Sequence, residues 1–392
     1  MRVLFLYPRT LDANSSVGGV AEFLCSLTPA LKAFNVDSVI YAGDKTVNQL
    51  TKPLNVLADT VVYNGPFIKP GWLVRNRKLG SVLEVCRKEN IDVIHAQGTY
   101  TAGFMALKMH QRANIPYVVT SHSDILTTNS KRMNRSNVQR RCRQVLKQAT
   151  AVTHLTPMME TVSHELYDTR TKSTVIGNGI DCESFLPFAG CAERNYMLGI
   201  GRLERGKGFH ILIEMVARLI ARGMKTSLVI AGKGSEEQAL YAQVKHLGIN
   251  LVTDFTDFTR IPEKSVIFTG YVRDDAKKRL IAESQFVLFA TQPQLWEEAF
   301  GIVQLEAMAA GKPILASDTN VSRFLEKAGM QCRIVRPDNV NDWMEQAECL
   351  LNDRELRQEM GRRNLQTAAQ FDWRLIAEKY RDVYASALNA FQ

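Results

Sequence analysis

The sequence predicts an α/β protein built from two doubly wound, parallel-sheet domains. Three observations carry this reading. Short apolar strands alternate with helical segments, the alternation starts twice, and 392 residues exceed what one hydrophobic core usually fills. The first series runs through Val3–Tyr7, Ser38–Tyr41, Val93–Ala96, Tyr117–Thr120, Ala151–Leu155 and Thr174–Ile176. The second runs through Tyr196–Ile200, Ser227–Ala231, Val266–Thr269, Phe286–Ala290 and Ile314–Ala316. Between them, Asp181–Arg194 loses its periodicity and carries Pro187 and Gly190, which reads as a linker. The domains are therefore expected at residues 1–187 and 188–370.

Taken in order, three strand-to-helix junctions stand out, because a helix N-terminus offers unpaired N–H groups to an anion. The opening strand MRVLFLYP leads to Gly18 and Gly19 and to a helix expected from about Ala21. The segment YMLGIGRLERGKG, Tyr196 to Gly208, runs from a strand into a glycine-rich loop with Arg202 and Lys207 and then a helix over Phe209–Arg222. Two cations on such a loop suit a diphosphate, arginine as a fork and lysine as a point charge. A dinucleotide fingerprint is excluded, because Glu204 stands where the third glycine of G-x-G-x-x-G would be. The third junction is FVLFA, a loop holding Pro293, and a helix over Ile302–Ala310 closed by Gly311. There Glu298 precedes the helix and Glu306 lies about two turns along. A phosphate could sit on the N–H groups of Gly301, Ile302 and Val303, with the two carboxylates free to accept hydroxyl hydrogen bonds. A solvated Glu306 and a Glu298 stabilised by the helix dipole would produce the same spacing.

Composition narrows the class. The 45% hydrophobic and 23% charged content is that of an ordinary globular protein. No run approaches the length of an apolar membrane span, and the N-terminal strand is not a signal peptide, so a cytoplasmic location is expected. The seven cysteines form no C-x-x-C pair, which suits a reducing compartment and offers no zinc site. The net charge of +9 is uneven: residues 1–190 hold 22 Lys and Arg against 14 Asp and Glu. Ile125–Met159 has no acid, yet carries Lys131, Arg132, Arg135, Arg140, Arg141, Arg143 and Lys147 among Val138, Val145 and Leu146. Such a helix suits an anionic lipid surface or an acidic acceptor, or is simply a solvated face. Without interleaved aromatics it does not read as a nucleic-acid site. Three histidines, His95, His122 and His154, follow strands, and position alone does not choose among them.

Gly18-Gly19, His122, the NGID of Asn178–Asp181, GRLERGKG and Glu298-x7-Glu306 together resemble the retaining glycosyltransferases of family 4. The resemblance spans nearly the whole chain. It implies a GT-B fold, two doubly wound Rossmann-like domains facing a cleft, the first binding acceptor and the second the nucleotide sugar. It also implies that the last helix, within 371–392, crosses back to the first domain. His122 matches the family's cleft histidine that contacts the donor sugar; Ser123 separates it from Asp124, where an acidic residue or glycine often follows directly. Thr319-Asn320 stands in place of a common Gly-Gly.

The implied reaction is metal-independent transfer with retention from a nucleotide diphosphosugar, a UDP-sugar ahead of GDP-mannose, to a glycan or lipid-linked glycan. Surface polysaccharide or glycolipid synthesis, such as that of lipopolysaccharide, is the context such acceptors imply, with peripheral membrane contact through 131–147. Glu298 and His122 are the catalytic candidates. Gly18, Gly19, Arg202, Lys207, Val272, Gly301, Ile302, Val303 and Glu306 are the donor-binding ones, with the base read by backbone near Tyr271 and Val272. No cofactor and no metal are expected, since the chain contains no Asp-x-Asp. A GT-B epimerase or hydrolase, and a non-catalytic sugar-nucleotide-binding protein, are the alternatives.

Overall fold

The computed structural model describes residues 1–11, 18–44, 50, 54–57, 60–67, 76–126, 128, 130–253, 255 and 260–391, the side chains of 54–57 and 76–78 excepted. The chain divides into two compact units, Met1–Gly179 with Trp373–Gln392, and Ile180–Asp372. The division falls just ahead of the stretch that loses its periodicity, so Asp181–Arg194 lies in the second unit.

In the first unit the elements are β1 (Arg2–Tyr7), α1 (Gly19–Lys32), β2 (Asp37–Gly43), β3 (Leu54–Leu57), β4 (Thr60–Gly65), α2 (Asn76–Lys88), β5 (Val93–Gln97), α3 (Thr101–Ala113), β6 (Tyr117–Ser121), α4 (Ser136–Gln148), β7 (Ala151–His154), α5 (Pro157–Leu166) and β8 (Ser173–Val175). The sheet order is β3-β4-β2-β1-β5-β6-β7-β8, parallel except for the β3–β4 pair. Alternation along β1 sends side chains to opposite faces. Leu4 and Leu6 join the core under α2 and α3, while Val3, Phe5 and Tyr7 join the core under α1.

The second unit follows with β9 (Met197–Ile200), α6 (Phe209–Ala221), β10 (Leu228–Ala231), α7 (Glu237–His246), β11 (Asn250–Val252), β12 (Ser265–Gly270), α8 (Asp274–Glu283), β13 (Phe286–Phe289), α9 (Ile302–Ala309), β14 (Ile314–Ser317), α10 (Asn320–Lys327), β15 (Cys332–Val335), α11 (Val340–Asn352) and α12 (Arg354–Ala368). Its seven strands run parallel in the order β11-β12-β10-β9-β13-β14-β15. The last helix, α13 (Trp373–Asn389), belongs to the first unit. Its buried stripe of Trp373, Ile376, Ala377, Tyr380, Tyr384 and Ala387 has helical spacing and shares the core of α1.

Four strands, β3, β4, β11 and β15, extend the sheets beyond those read from the sequence. β11 and β15 are short, and each is an edge strand only partly buried, so neither shows a continuous apolar run. Helix α1 begins at Gly19, slightly before the expected Ala21. Among the described residues no helix is long and apolar enough to cross a membrane.

Both sheets are doubly wound, and each reverses its winding direction once. In the second unit the reversal lies between β9 and β13, in the first between β1 and β5. Loops leaving adjacent strands there diverge to opposite faces and open a crevice at the carboxyl ends.

Candidate active site

The loops after β9 and β13 bound the crevice of the second unit, and they carry most of the candidate residues. The β9 loop ends in a 3-10 turn over Arg205–Lys207, followed by Gly208 at φ +71°. That left-handed residue starts α6, and a Cβ there would meet the carbonyl oxygen of Ala290 at 1.9 Å. Glycine is therefore required for the β9 loop to lie on the end of β13. The β13 loop is itself tied down by Gln292, whose amide donates to the carbonyls of Ala290, at 2.8 Å, and Pro337, at 3.0 Å.

This packing brings Lys207 onto Glu298. The ammonium donates to Oε1 of the carboxylate, and the hydroxyl of Thr291 donates to the same oxygen at 3.3 Å. Trp296 lies beside both cations, with the Arg202 guanidinium 5.0 Å and the Lys207 ammonium 5.7 Å from its ring centroid. Burial, and then the charge of Arg202, push the Lys207 ammonium down to about 7. Arg202 itself is exposed.

Helix α9 begins behind Gly301, which caps it at φ +71° and ψ 62°. Its first turn, Ile302 and Val303 onward, carries no acidic side chain, so its N–H groups keep their positive field. Glu306 points from the second turn to α8, where Lys277 donates to its Oε1 at 2.6 Å. Both side chains are largely buried, at 13% and 21% exposure. Val272 lies between Gly270, at φ +68°, and the start of α8, half-buried beside the exposed Tyr271 on which Arg273 stacks at 4.9 Å.

In the first unit, Gly18 caps α1 at φ +130°, and nothing lies within 4 Å of where a Cβ would stand on Gly18 or Gly19. The structure separates the three post-strand histidines. His95 is wholly buried and spent on structure, with Nδ1 2.8 Å from the Tyr384 hydroxyl and Nε2 2.6 Å from the Thr120 hydroxyl. His154 is also wholly buried, with Nε2 3.2 Å from the Ser173 hydroxyl. His122, just beyond β6, keeps 8% exposure; its Nε2 lies 2.9 Å from the Oε1 of Gln97, and Phe23 of α1 sets its edge against the ring at 5.4 Å. Burial holds its imidazole neutral, down to about 4. Asp124 accepts the N–H groups of Thr99 at 2.7 Å and Tyr100 at 3.0 Å, so it anchors the backbone ahead of α3.

Within the second unit, then, Arg202, Lys207 and Glu298 meet around Trp296, and Glu306 forms a separate pair with Lys277. Gly18, Gly19 and His122 belong to the first unit. Sequence reasoning missed Lys277, Thr291, Trp296 and Gln97. For Trp296 the signal was available, an aromatic in a loop already carrying Glu298; Lys277 sits in an ordinary charged helix. Among the described residues no group of three or more His, Cys, Asp or Glu is placed to hold a metal ion.

The glycosyltransferase family 4 model matches residues 17–184, and the glycosyl transferases group 1 model matches residues 190–367. The chain is 28% identical to the D-inositol 3-phosphate glycosyltransferase of Corynebacterium diphtheriae, covering 97% of this chain and 92% of that one. It is 30% identical to the phosphatidyl-myo-inositol mannosyltransferase of Mycolicibacterium smegmatis over 55% of this chain and 52% of that one. Among solved structures, Anabaena HepE in complex with UDP superposes with a TM-score of 0.74 at 19% identity, covering 98% of this chain and 100% of that one. The protein is thus an enzyme, a glycosyltransferase of the GT-B fold. Within that class its first half matches family 4 and its second half group 1.

Proposed function

We propose that the enzyme moves a sugar from a nucleotide diphosphosugar, a UDP-sugar ahead of GDP-mannose, to a glycan or lipid-linked glycan, with retention of anomeric configuration and without a metal ion. The observation that carries this is the convergence of Arg202, Lys207 and Glu298 around Trp296 at the carboxyl ends of β9 and β13. The UDP bound to HepE supports the choice of nucleotide. The lipid in the name of the mycobacterial mannosyltransferase supports a lipid-linked acceptor.

In this reading the diphosphate lies against Arg202, Lys207 and the first-turn N–H groups behind Gly301. Negative charge grows on it as the glycosidic bond breaks. Fixed cations and dipoles in a partly buried crevice stabilise that charge more than water would, because they need no reorganisation. In this reading Arg202 and Lys207 replace a metal cation. Glu298 accepts hydroxyl hydrogen bonds from the transferred sugar, Glu306 from the ribose, and backbone near Val272 reads the base. In the first unit, His122 and the α1 terminus at Gly18 and Gly19 are the groups proposed to contact sugar hydroxyls. A diphosphate oxygen takes the acceptor's proton on the same face, which gives retention without a strong protein base.

Helix α4 supplies the membrane contact in this reading. It buries Val138, Cys142, Val145 and Leu146, and exposes Arg140, Arg143 and Lys147, with Lys131, Arg132 and Arg135 exposed just before it. One cationic face at the surface suits an anionic headgroup layer. The enzyme would then work peripherally at a membrane in surface polysaccharide or glycolipid synthesis.

Glu298→Ala and Arg202→Ala, assayed separately for transfer, test the site. Each should lower the rate by more than about tenfold, roughly 1.4 kcal/mol of barrier; smaller losses in both would overturn it. A thermal-shift series of UDP-, GDP- and ADP-sugars tests the donor. A true donor at about 100 times its Kd stabilises the fold by about 2.7 kcal/mol.

A further inference from the structure

Gln97 and His122 make a buried polar contact that the reaction outlined above does not require. Gln97 ends β5, and His122 follows β6. The two strands are parallel neighbours with Gln97 opposite Thr120, so the side chains of Gln97 and of the residue two beyond Thr120 lie diagonally on one face. There Gln97 Oε1 stands 2.9 Å from His122 Nε2, with Gln97 only 3% and His122 8% exposed. Phe23 closes another side of the ring in an edge-to-face contact at 78°. The other atom of the amide, Nε2, is buried without a partner among the described residues.

Resting on the donor-site reading above, we propose that Gln97 is a positioning residue that holds His122 as the neutral Nε2–H tautomer, so that Nδ1 presents a lone pair to a hydroxyl of the transferred sugar. The amide oxygen cannot donate, so Nε2 must carry the proton across the 2.9 Å contact. A neutral imidazole then has its second nitrogen as an acceptor, and among the described residues no hydrogen bond to that nitrogen competes. The tautomer sets the chemistry that His122 reads. An Nδ1 lone pair recognises a hydroxyl, whereas an Nδ1–H would recognise a phosphate oxygen, which is the job already filled by Arg202 and Lys207.

The test is the tautomer itself, read by long-range 1H–15N correlation on histidine-labelled protein, with His122→Gln assigning the resonance. The free wild-type protein should show His122 as Nε2–H between pH 6 and 8. The near-isosteric Gln97→Met, which removes the acceptor and keeps the shape, should turn this into a tautomeric mixture while the thermal unfolding transition remains cooperative. UDP-glucose, at a concentration that stabilises the fold, should shift the Nδ1 resonance, and UDP alone should not. An Nδ1–H signature in the wild type, an unchanged signature in Gln97→Met, or an Nδ1 signal unmoved by stabilising UDP-glucose would each overturn the proposal. The tautomer is read without ligand. An absence of stabilisation by every nucleotide sugar would therefore count against the donor-site reading and leave the tautomer assignment standing or falling on its own signal.

Discussion

The Lys207 ammonium rests on the Glu298 carboxylate, 91 residues away in sequence, with both side chains mostly withdrawn from water. A diphosphate arriving beside Lys207 brings a second set of anionic oxygens to a cation that already has one. In the proposed donor site the carboxylate would then be released toward sugar hydroxyls while the ammonium keeps full compensation. Removing Glu298 leaves a buried ammonium unpaired, a loss that is large for a charge unable to neutralise. Lys207 is already pushed down to about 7 and can shed its proton instead. Glu298→Ala is accordingly expected to cost about 1–3 kcal/mol in urea unfolding at pH 7 and less at pH 9.

The same depressed lysine makes donor binding pH-dependent. With Lys207 pushed down to about 7, a diphosphate bound beside it as proposed would restore the proton, so binding would take up a proton above that pH. Affinity for UDP should fall by up to about tenfold per unit as pH rises above 7, because each unit corresponds to about 1.4 kcal/mol. Calorimetry in buffers of different ionisation enthalpy should detect the uptake, and Lys207→Met should abolish it. For folding the sign is reversed. With the folded value below the ordinary 10.5, the unfolded chain holds more protons between about 7 and 10.5, so this group's penalty is full below 7 and is relieved as pH rises through that window.

Glu306 and Lys277 are expected to affect binding rather than chemistry. Glu306→Ala removes the carboxylate that Lys277 holds at 2.6 Å, together with the ribose contacts proposed for it. It should raise the KM for the donor about tenfold while kcat changes less than about threefold, the pattern of an interaction made equally in ground and transition states.

Two glycines should respond in opposite ways to alanine. At Gly208, φ is +71° and a Cβ would stand 1.9 Å from the Ala290 carbonyl oxygen, so Gly208→Ala should cost about 3 kcal/mol or more and dislodge the β9 loop. Gly19 opens α1 into empty space, and Gly19→Ala should change stability by less than about 1 kcal/mol. Thermal melts of the two variants side by side check this.

Tyr384 of α13 bonds His95 from the core of the first unit, at 2.8 Å. Tyr384→Phe keeps the packing but leaves a buried ring nitrogen unmatched, at about 1–3 kcal/mol of stability by denaturant titration. UDP affinity should be unchanged.

The sequence by itself determined the two βα series, the strand-loop-helix junctions and the residues that carry charge there. These are local properties: strand runs, helical spacing and glycine-rich loops declare themselves within a dozen residues. The edge strands β11 and β15 escaped because, with one side unpaired and partial exposure, they need no continuous apolar run. Only the tertiary structure decided which groups meet. It gave three histidines in equivalent sequence positions different partners: β5, β6 and α13 consume His95, the β7–β8 region engages His154, and His122 meets Gln97. It joined Glu298 to Lys207 and gave Glu306 its partner Lys277, 29 residues earlier on another helix. The order of strands across a sheet sets those pairings, and strand order follows from how the whole chain buries its apolar faces rather than from any single segment of it.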